Sequence, residues 1–245
     1  MSKSETLSFD KLHLESIVVE FRYSFAYVFW DRVGSISNEI KKQLPPAPME
    51  LGGNAKPGLV TLSYDRQYDI SLEPTQLSVA FAGAKTEIKE FLKIASVIFE
   101  ITVKALEIDV FERVGMRQIF VKKYANLKKA NEAISQIPAL AMIKRPLEGH
   151  KNAEISPSAL VRMDLEATGT TFSLKAVERD FQMTAPPVFW DSSNETSRSL
   201  NFHHAIFAMD IDAYTRRQVS VDQFDLTEWV RQQSETVKRD SAMFF

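Results

Sequence analysis

The sequence predicts an α+β protein, with a largely antiparallel sheet, or sheets, and long helices packed on one side. Segments that alternate apolar and polar residues come in runs of several strands, and helical patterns separate these runs. Strict alternation of strand and helix would indicate a parallel sheet, whereas runs of strands indicate antiparallel pairing. The predicted elements follow a loosely similar order in the two parts of the chain, which is compatible with two similar halves, although no residue-level repeat is present.

The first part of the chain contains three predicted strands and two predicted helices. Residues 16–25 and the shorter segments 59–64 and 77–82 have the alternation of strands, and residues 86–107 have the strongest helical pattern. Residues 30–44 have a period near 3.6, and prolines that follow them are expected to end that helix. The apolar stripe of this helix is predicted to consist of Trp30, Val33, Ile36, Ile40 and Leu44.

The middle of the chain is predicted to contain a boundary between two halves. Residues 108–124 return to a period of two, and a polar helix is predicted over 126–137. The buried face of the strand is predicted to consist of Ile108, Val110, Val114, Met116 and Phe120. Residues 138–157 hold three prolines and little periodicity, which is typical of a linker or loop. We therefore predict an N-terminal α+β half over 1–137, a linker or loop over 138–157, and a C-terminal α+β half over 158–245.

The C-terminal half begins with a predicted hairpin. Its strands cover residues 161–165 and 171–183, and Gly169 lies in the connection. A further strand is predicted over 201–212. Asp225 and Glu228 have the spacing of an N-cap and a capping box, which predicts a long final helix.

The composition excludes several classes of function. The chain has 245 residues, 30 Lys and Arg against 32 Asp and Glu, and no cysteine. Without cysteine there is no disulfide, thiol nucleophile or Cys-ligated zinc site, and the chain fits a reducing cytoplasm. The polar first residues lack the apolar region of a secretory signal, and the most apolar stretch, 88–106, carries charges that oppose insertion in a membrane. The near-neutral charge favours neither nucleic acid nor an anionic membrane as a partner.

Two arginines are the candidates for binding an anion. Arg113 and Arg117 are predicted to share one strand face with Gly115 between them, which leaves space above the backbone for a planar or anionic group. The alternative is an exposed sheet face on which these arginines pair with Glu20 or Asp109 of neighbouring strands. Both interpretations remain open at this stage.

Two acidic pairs are candidates for holding a metal ion. Asp164 with Glu166, and Asp210 with Asp212, each follow an apolar-acid-apolar-acid pattern. If the two strands were neighbours, four carboxylates could gather and bind Mg²⁺ or Ca²⁺. The alternative is that these acids form the polar outer faces of amphipathic strands, neutralised by residues such as Arg162 and Lys175.

One run of residues resembles a known family. Phe111-Glu112-Arg113-Val114-Gly115-Met116-Arg117-Gln118-Ile119 is similar to a central Glu-Arg-Ile/Val-Gly-x-Arg strand in a sporadically distributed family of uncharacterised bacterial proteins. In that family a Val-Val-Glu-like strand comes first and an aromatic-rich helix comes last. The corresponding segments here are 18–22 and 229–245. The resemblance implies the same architecture, and it supplies no activity and no catalytic residue.

These observations favour a cytoplasmic, non-catalytic binding or interaction module that needs no cofactor. Its expected partner is a protein or a second copy of the chain. The alternative is a metal-dependent hydrolase acting on a phosphorylated or nucleic-acid substrate, with Mg²⁺ or Ca²⁺ on the acidic pairs and the two arginines as anion clamps. The terminal run Met243-Phe244-Phe245 is expected to fold back onto the core, and a homodimer contact is the alternative.

Overall fold

The computed structural model describes residues 7–52, 58–83, 87–138, 157–184 and 199–245. The described part of the chain forms ten strands and four α-helices. In chain order these are β1 (His13–Tyr23), α1 (Phe29–Gln43), β2 (Met49–Gly52), β3 (Val60–Tyr64), β4 (Tyr68–Glu73), β5 (Gln76–Ala82), α2 (Ile88–Leu106), β6 (Val110–Tyr124), α3 (Leu127–Ile134), β7 (Ser158–Asp164), β8 (Thr168–Thr184), β9 (Ser199–Thr215), β10 (Val219–Ser220) and α4 (Leu226–Ser241).

All the strands belong to one antiparallel sheet. Its order is β2-β3-β4-β5-β1-β6-β9-β8-β7, and β10 pairs with β6 off this path. The predicted α+β class with a large antiparallel sheet is therefore confirmed. Strands β1 and β6 form the central pair, and β9 lies on the far side of β6.

The helices are short rather than long, at 15, 19, 8 and 16 residues, and α2 and α3 are shorter than the predicted segments 86–107 and 126–137. Local signals limit them. Pro45 follows α1 closely, and a proline cannot donate the next helical hydrogen bond. Helix α2 ends at Leu106, and its C-cap Glu107 has a left-handed backbone with φ of 55°. Helix α3 begins at the N-cap Asn126, whose side chain accepts a hydrogen bond from the Lys129 N–H, and it ends after only two turns.

The core lies between the helices and one face of the sheet. Strand β1 buries Ile17, Val19, Phe21 and Tyr23, as its alternation predicts. Phe21 packs against Phe99 of α2 at 4.8 Å and Phe111 of β6 at 5.3 Å between ring centroids. In α1 the predicted core stripe is wrong at Trp30, which is 59% exposed, because the helix turns Phe29 inward instead.

Strand β6 departs from its predicted alternation near its start. Val110 is 40% exposed, whereas Phe111 and Val114 are both fully buried. The cause is a register shift against β1, in which Tyr23 pairs with Phe111 but Arg22 pairs with Arg113. The extra residue is a β-bulge, which reverses the facing of the side chains that precede it.

The predicted hairpin of the C-terminal half is confirmed as β7 and β8, and β9 and α4 follow as predicted. The Asp225 side chain accepts a hydrogen bond of 2.9 Å from the Glu228 N–H, which is the predicted cap. Strands β2 and β4 were absent from the sequence prediction. Nearly all of the predicted linker, residues 139–156, lies outside the described residues.

Candidate functional site

A groove of about 470 Å³ lies on the face of the central strands that points away from α2 and α4. Residues of the five adjacent strands β1, β6, β9, β8 and β7 line it. The groove is lined by Val18, Glu20, Arg22, Arg113, Gly115, Arg117, Leu160, Thr171, Ser173, Asp210 and Asp212. It therefore contains both predicted arginines and one of the two predicted acidic pairs.

The two arginines of β6 pair with the two acids of β9. Arg117 makes a bidentate salt bridge with Asp210, with Nε–Oδ1 at 2.8 Å and Nη2–Oδ2 at 2.6 Å. Arg113 donates from Nη2 to Asp212 Oδ2 at 3.1 Å. Sequence spacing predicted the shared faces, but the pairing depends on β6 and β9 being neighbours.

Arg113 also connects this pair of strands to β1, because its Nη1 lies 3.9 Å from Glu20 Oε1. Within β1, Arg22 Nε donates to the same oxygen at 2.7 Å. The predicted pairing of Arg113 with Glu20 is thus present, at the distance of a weak ion pair. We call the six charged side chains that line the groove the charge ladder: Glu20, Arg22, Arg113, Arg117, Asp210 and Asp212.

Burial and pairing act in opposite directions on Asp212. Burial is the larger influence and raises the pKa of the Asp212 carboxyl, and the nearby Glu20 carboxylate adds to it; Arg113 opposes the rise. At the other end of the ladder, the hydrogen bond to Asp210 raises the pKa of Arg117, which remains a cation under all ordinary conditions. The groove therefore holds one carboxyl whose ionisation is costly beside permanently charged guanidinium groups.

Gly115 provides the open floor of the groove. A Cβ atom built on it would have its nearest neighbours, Arg113 Nη2 and Asp212 Oδ1, at 3.9 Å, which is ordinary contact. A side chain larger than a methyl group would occupy the space between the arginines. The predicted space above Gly115 is therefore present.

The other acidic pair lies outside the ladder. Asp164 contacts Arg162 at 3.0 Å and accepts a hydrogen bond from the Tyr214 hydroxyl at 3.2 Å. Glu166 lies in the turn after β7 and pairs with Arg217. The two acidic strands are not neighbours, because β8 lies between β7 and β9. Within the described residues, no three His, Asp or Glu side chains form a group able to hold a metal ion.

Tyr214 is one of the residues of this region that the sequence analysis missed, together with Arg22, Thr171 and Ser173 of the groove lining. Its ring lies 4.6 Å from the Arg113 guanidinium carbon and covers Gly169 on the neighbouring strand β8. The Tyr214 ring and the Asp212 carboxylate thus both contact the Arg113 guanidinium group. Tyr214 faces Gly169 on the paired strand, and this pairing could have identified the tyrosine. Recognising it from the sequence requires the register of β8 against β9.

Comparison with known proteins gives no assignment to a family. No family model matches the sequence, and no curated protein matches it significantly. Among the described residues, no helix is long and apolar enough to cross a membrane.

Proposed function

We propose that the protein is a non-catalytic binding module that recognises its ligand with the groove of the charge ladder. The observation that carries this proposal is the composition of the groove, in which Arg22, Arg113 and Arg117 are balanced by three carboxylates along adjacent strands. A cavity of about 470 Å³ is within the range of small-molecule sites. Thr171 and Ser173 add hydroxyl groups that can both donate and accept hydrogen bonds.

The balance of charge supports a ligand that carries groups of both signs. A simple anion would approach the arginines against three nearby carboxylates, whereas a zwitterion can place its ammonium near the acids and its carboxylate near the guanidinium groups. Arg117 is 56% exposed and remains accessible beside its partner Asp210. Val18 and Leu160 give the groove an apolar surface. Leu160 is 73% exposed and is therefore accessible to a ligand.

The same contacts favour binding over the metal-dependent hydrolase. Both Asp210 oxygens accept hydrogen bonds from Arg117, and Asp212 accepts one from Arg113. A divalent cation on these acids would have to displace guanidinium groups or bind against their charge. Asp164 and Glu166, the other carboxylates of that hypothesis, have arginine partners of their own.

The test is a comparison of three forms of one dipeptide. The unblocked dipeptide is a zwitterion, its N-acetylated form is an anion, and its C-amidated form is a cation. We expect the zwitterion to raise the melting temperature most, because a ligand stabilises the folded state according to its affinity. Equal effects from all three forms, or stabilisation by Mg²⁺ that Asp210→Asn abolishes, would contradict the proposal.

Two glycine variants make the test specific for the groove. Gly115→Val fills the floor of the groove, and valine favours a strand. Gly34→Val is the matched control, because Gly34 lies in α1 with nothing within 4 Å of the added Cβ. We expect the dipeptide effect to disappear in the first variant and to persist in the second.

The resemblance to the sporadic bacterial family forms part of the proposal. Its N-terminal and central motifs meet in space, because Glu20 of the first lies 3.9 Å from Arg113 of the second. Arg117, also of the second motif, lines the same groove. This meeting supports the view that the motif residues form a shared binding surface.

We also propose that the molecule consists of two halves of like topology. The first half runs β1-α1-β3-β4-β5-α2 with β2 added, and the second runs β6-α3-β7-β8-β9-α4. In the sheet, β1 is followed outward by β5, β4 and β3, and β6 is followed outward in the other direction by β9, β8 and β7. The two halves therefore have the same strand order, counted outward from the central β1–β6 pair. The boundary between such halves falls between α2 and β6, earlier than the predicted linker.

Self-association remains a prediction. Phe244 packs against Phe172 at 5.2 Å and Phe245 against Phe207 at 6.3 Å, so these two aromatic rings contact the molecule's own sheet. The expected folding back thus holds for Phe244 and Phe245, whereas Met243 is 82% exposed.

A further inference from the structure

A second cleft lies at one end of the central strands, and none of its lining residues belongs to the charge ladder. It has a volume of about 390 Å³ and is formed by two short connections, 23–28 between β1 and α1, and 106–110 between α2 and β6. The cleft is lined by Tyr23, Ser24, Phe25, Ala26, Tyr27, Val28, Leu106, Glu107, Ile108, Asp109 and Val110. Its walls are therefore mostly apolar or aromatic, and its charged lining residues are both acids.

The aromatic side chains of this cleft are unusually exposed. Tyr27 is 84% exposed and Phe25 is 48% exposed, and their rings meet edge to face at 5.0 Å. Val110 of the cleft is also exposed, by 40%. Three of the eight large apolar side chains that are exposed in the described part of the chain thus line this cleft. Exposed apolar side chains that cluster in this way are typical of binding surfaces.

The acidic side chains of the cleft favour a ligand with a positive charge. Glu107 and Asp109 line it, and no lysine or arginine is found among its described lining residues. The nearest cation in contact is Arg32, whose Nη2 lies 4.0 Å from Glu107 Oε1, with both side chains more than half exposed. Aromatic faces attract cations through the ring quadrupole, and carboxylates at the rim add to this attraction.

The backbone at Glu107 supplies an independent observation. This residue has φ of 55° and ψ of 46° at the end of α2, a conformation that glycine adopts without a steric cost. A glutamate in this position is strained, and strain of this kind concentrates at functional sites. Glu107 therefore keeps a carboxylate at the rim in a place where glycine would suit the fold better.

We propose that the cleft between residues 23–28 and 106–110 binds an organic ammonium group. The aromatic rings of Phe25 and Tyr27 contact its alkyl substituents, and Glu107 and Asp109 balance its charge. This site is separate from the charge ladder and shares no lining residue with it. The ammonium group belongs to a free small molecule or to a lysine side chain of a partner, since both present the same chemistry.

The experiment measures the affinity of the full chain for matched probes by NMR titration. Choline is the cation, and 3,3-dimethylbutanol is its neutral counterpart of the same shape. We expect choline to bind at least about fivefold more tightly, from the magnitude of cation–π attraction. A blocked lysine is the third probe: tighter binding of choline assigns a free small molecule, and tighter binding of the blocked lysine assigns a protein side chain. Equal affinity for choline and its neutral counterpart, or no binding of any probe, would overturn the proposal.

Three variants locate the binding. Glu107→Gly removes the carboxylate and relieves the strained backbone, so its melting temperature should equal or exceed that of the parent while its affinity for choline falls. Tyr27→Ala removes an exposed ring and should weaken choline binding by about fivefold or more. Met243→Ala, which alters an equally exposed side chain elsewhere, should leave binding unchanged. Full choline affinity in both cleft variants would place the binding elsewhere and refute the assignment.

Discussion

At the scale of single residues, Asp212 is held between two opposing influences. Burial on the floor of the groove makes its ionisation costly, and the Arg113 guanidinium at 3.1 Å reduces that cost without removing it. Asp164, on the edge strand β7, shows the opposite balance. Desolvation is the largest single influence on its pKa and raises it, but the hydrogen bond and charge of Arg162, the hydrogen bond from Tyr214 and the charge of Arg216 together outweigh this effect. The net pKa of the Asp164 carboxyl is therefore lowered.

The two carboxyls therefore predict opposite dependences of stability on pH. A raised pKa means that the folded state keeps its proton where the unfolded state loses it, so Asp212 reduces stability as the pH rises from its unfolded value of 3.8 through its folded pKa. We expect the free energy of unfolding of the parent, relative to Asp212→Asn, to fall over this window and then to become constant. Urea unfolding between about pH 3 and pH 7 measures it.

Asp164→Asn is the matched control for this experiment. Because the folded pKa of Asp164 is lowered, the parent should gain stability relative to this variant as the pH rises, with the gain complete above the unfolded value of 3.8. If the Asp212 difference also increased with pH, the ion pair with Arg113 would outweigh burial, and the account of the groove would be wrong.

At the scale of elements, the strand pair β8–β9 depends on a glycine opposite a tyrosine. A Cβ on Gly169 would lie 2.5 Å from Tyr214 Cζ, so the ring has to move if any side chain is introduced. Moving the ring disturbs the Tyr214 hydrogen bond to Asp164 and its contact with Arg113. The pairing of these strands and the position of the Arg113 side chain are thus coupled.

Gly169→Ala is expected to destabilise the protein by about 1–3 kcal/mol, the usual cost of overpacking. Tyr214→Ala removes the obstructing ring, so the same glycine change made in that background should cost much less. Chemical denaturation of the four proteins of this double-mutant cycle measures the coupling. Additive effects of the two changes would show that the ring does not obstruct position 169.

The elements also show where prediction from sequence reaches its limit. The cap at Asp225 and the alternation of β1 depend on neighbours along the chain, and both were predicted. The short strand β2 and the turn-flanked β4 were missed, because their pairing is set by β3. The buried Phe111 depends on the bulge against β1, and the pairing of Arg113 with Asp212 joins residues 99 positions apart. Such contacts follow from strand order, which no local pattern contains.

At the scale of the whole molecule, the β1–β6 pair joins the proposed halves. Strand β6 pairs with β1 on one side and β9 on the other, so the groove is built from strands of both halves. The connection from α2 to β6 is only residues 107–109. The corresponding connection after α4 would run from Phe245 towards the described residues that precede β1. Phe245 and Phe9 lie against adjacent strands, because Phe245 packs on Phe207 of β9 and Phe9 packs on Phe120 of β6.

If the halves are equivalent, these two connections are interchangeable. A circular permutant that begins at Ile108, ends at Glu107 and joins Phe245 to Met1 through a short Gly-Ser linker should fold, because every strand and helix remains intact. A permutant opened between Gln118 and Ile119 cuts the central strand β6 and should not fold. Circular dichroism melting curves distinguish the two, and the first permutant should also retain the dipeptide effect of the groove. If both permutants failed to fold, the α2–β6 connection would be required for folding. That result would contradict the proposal of two equivalent halves.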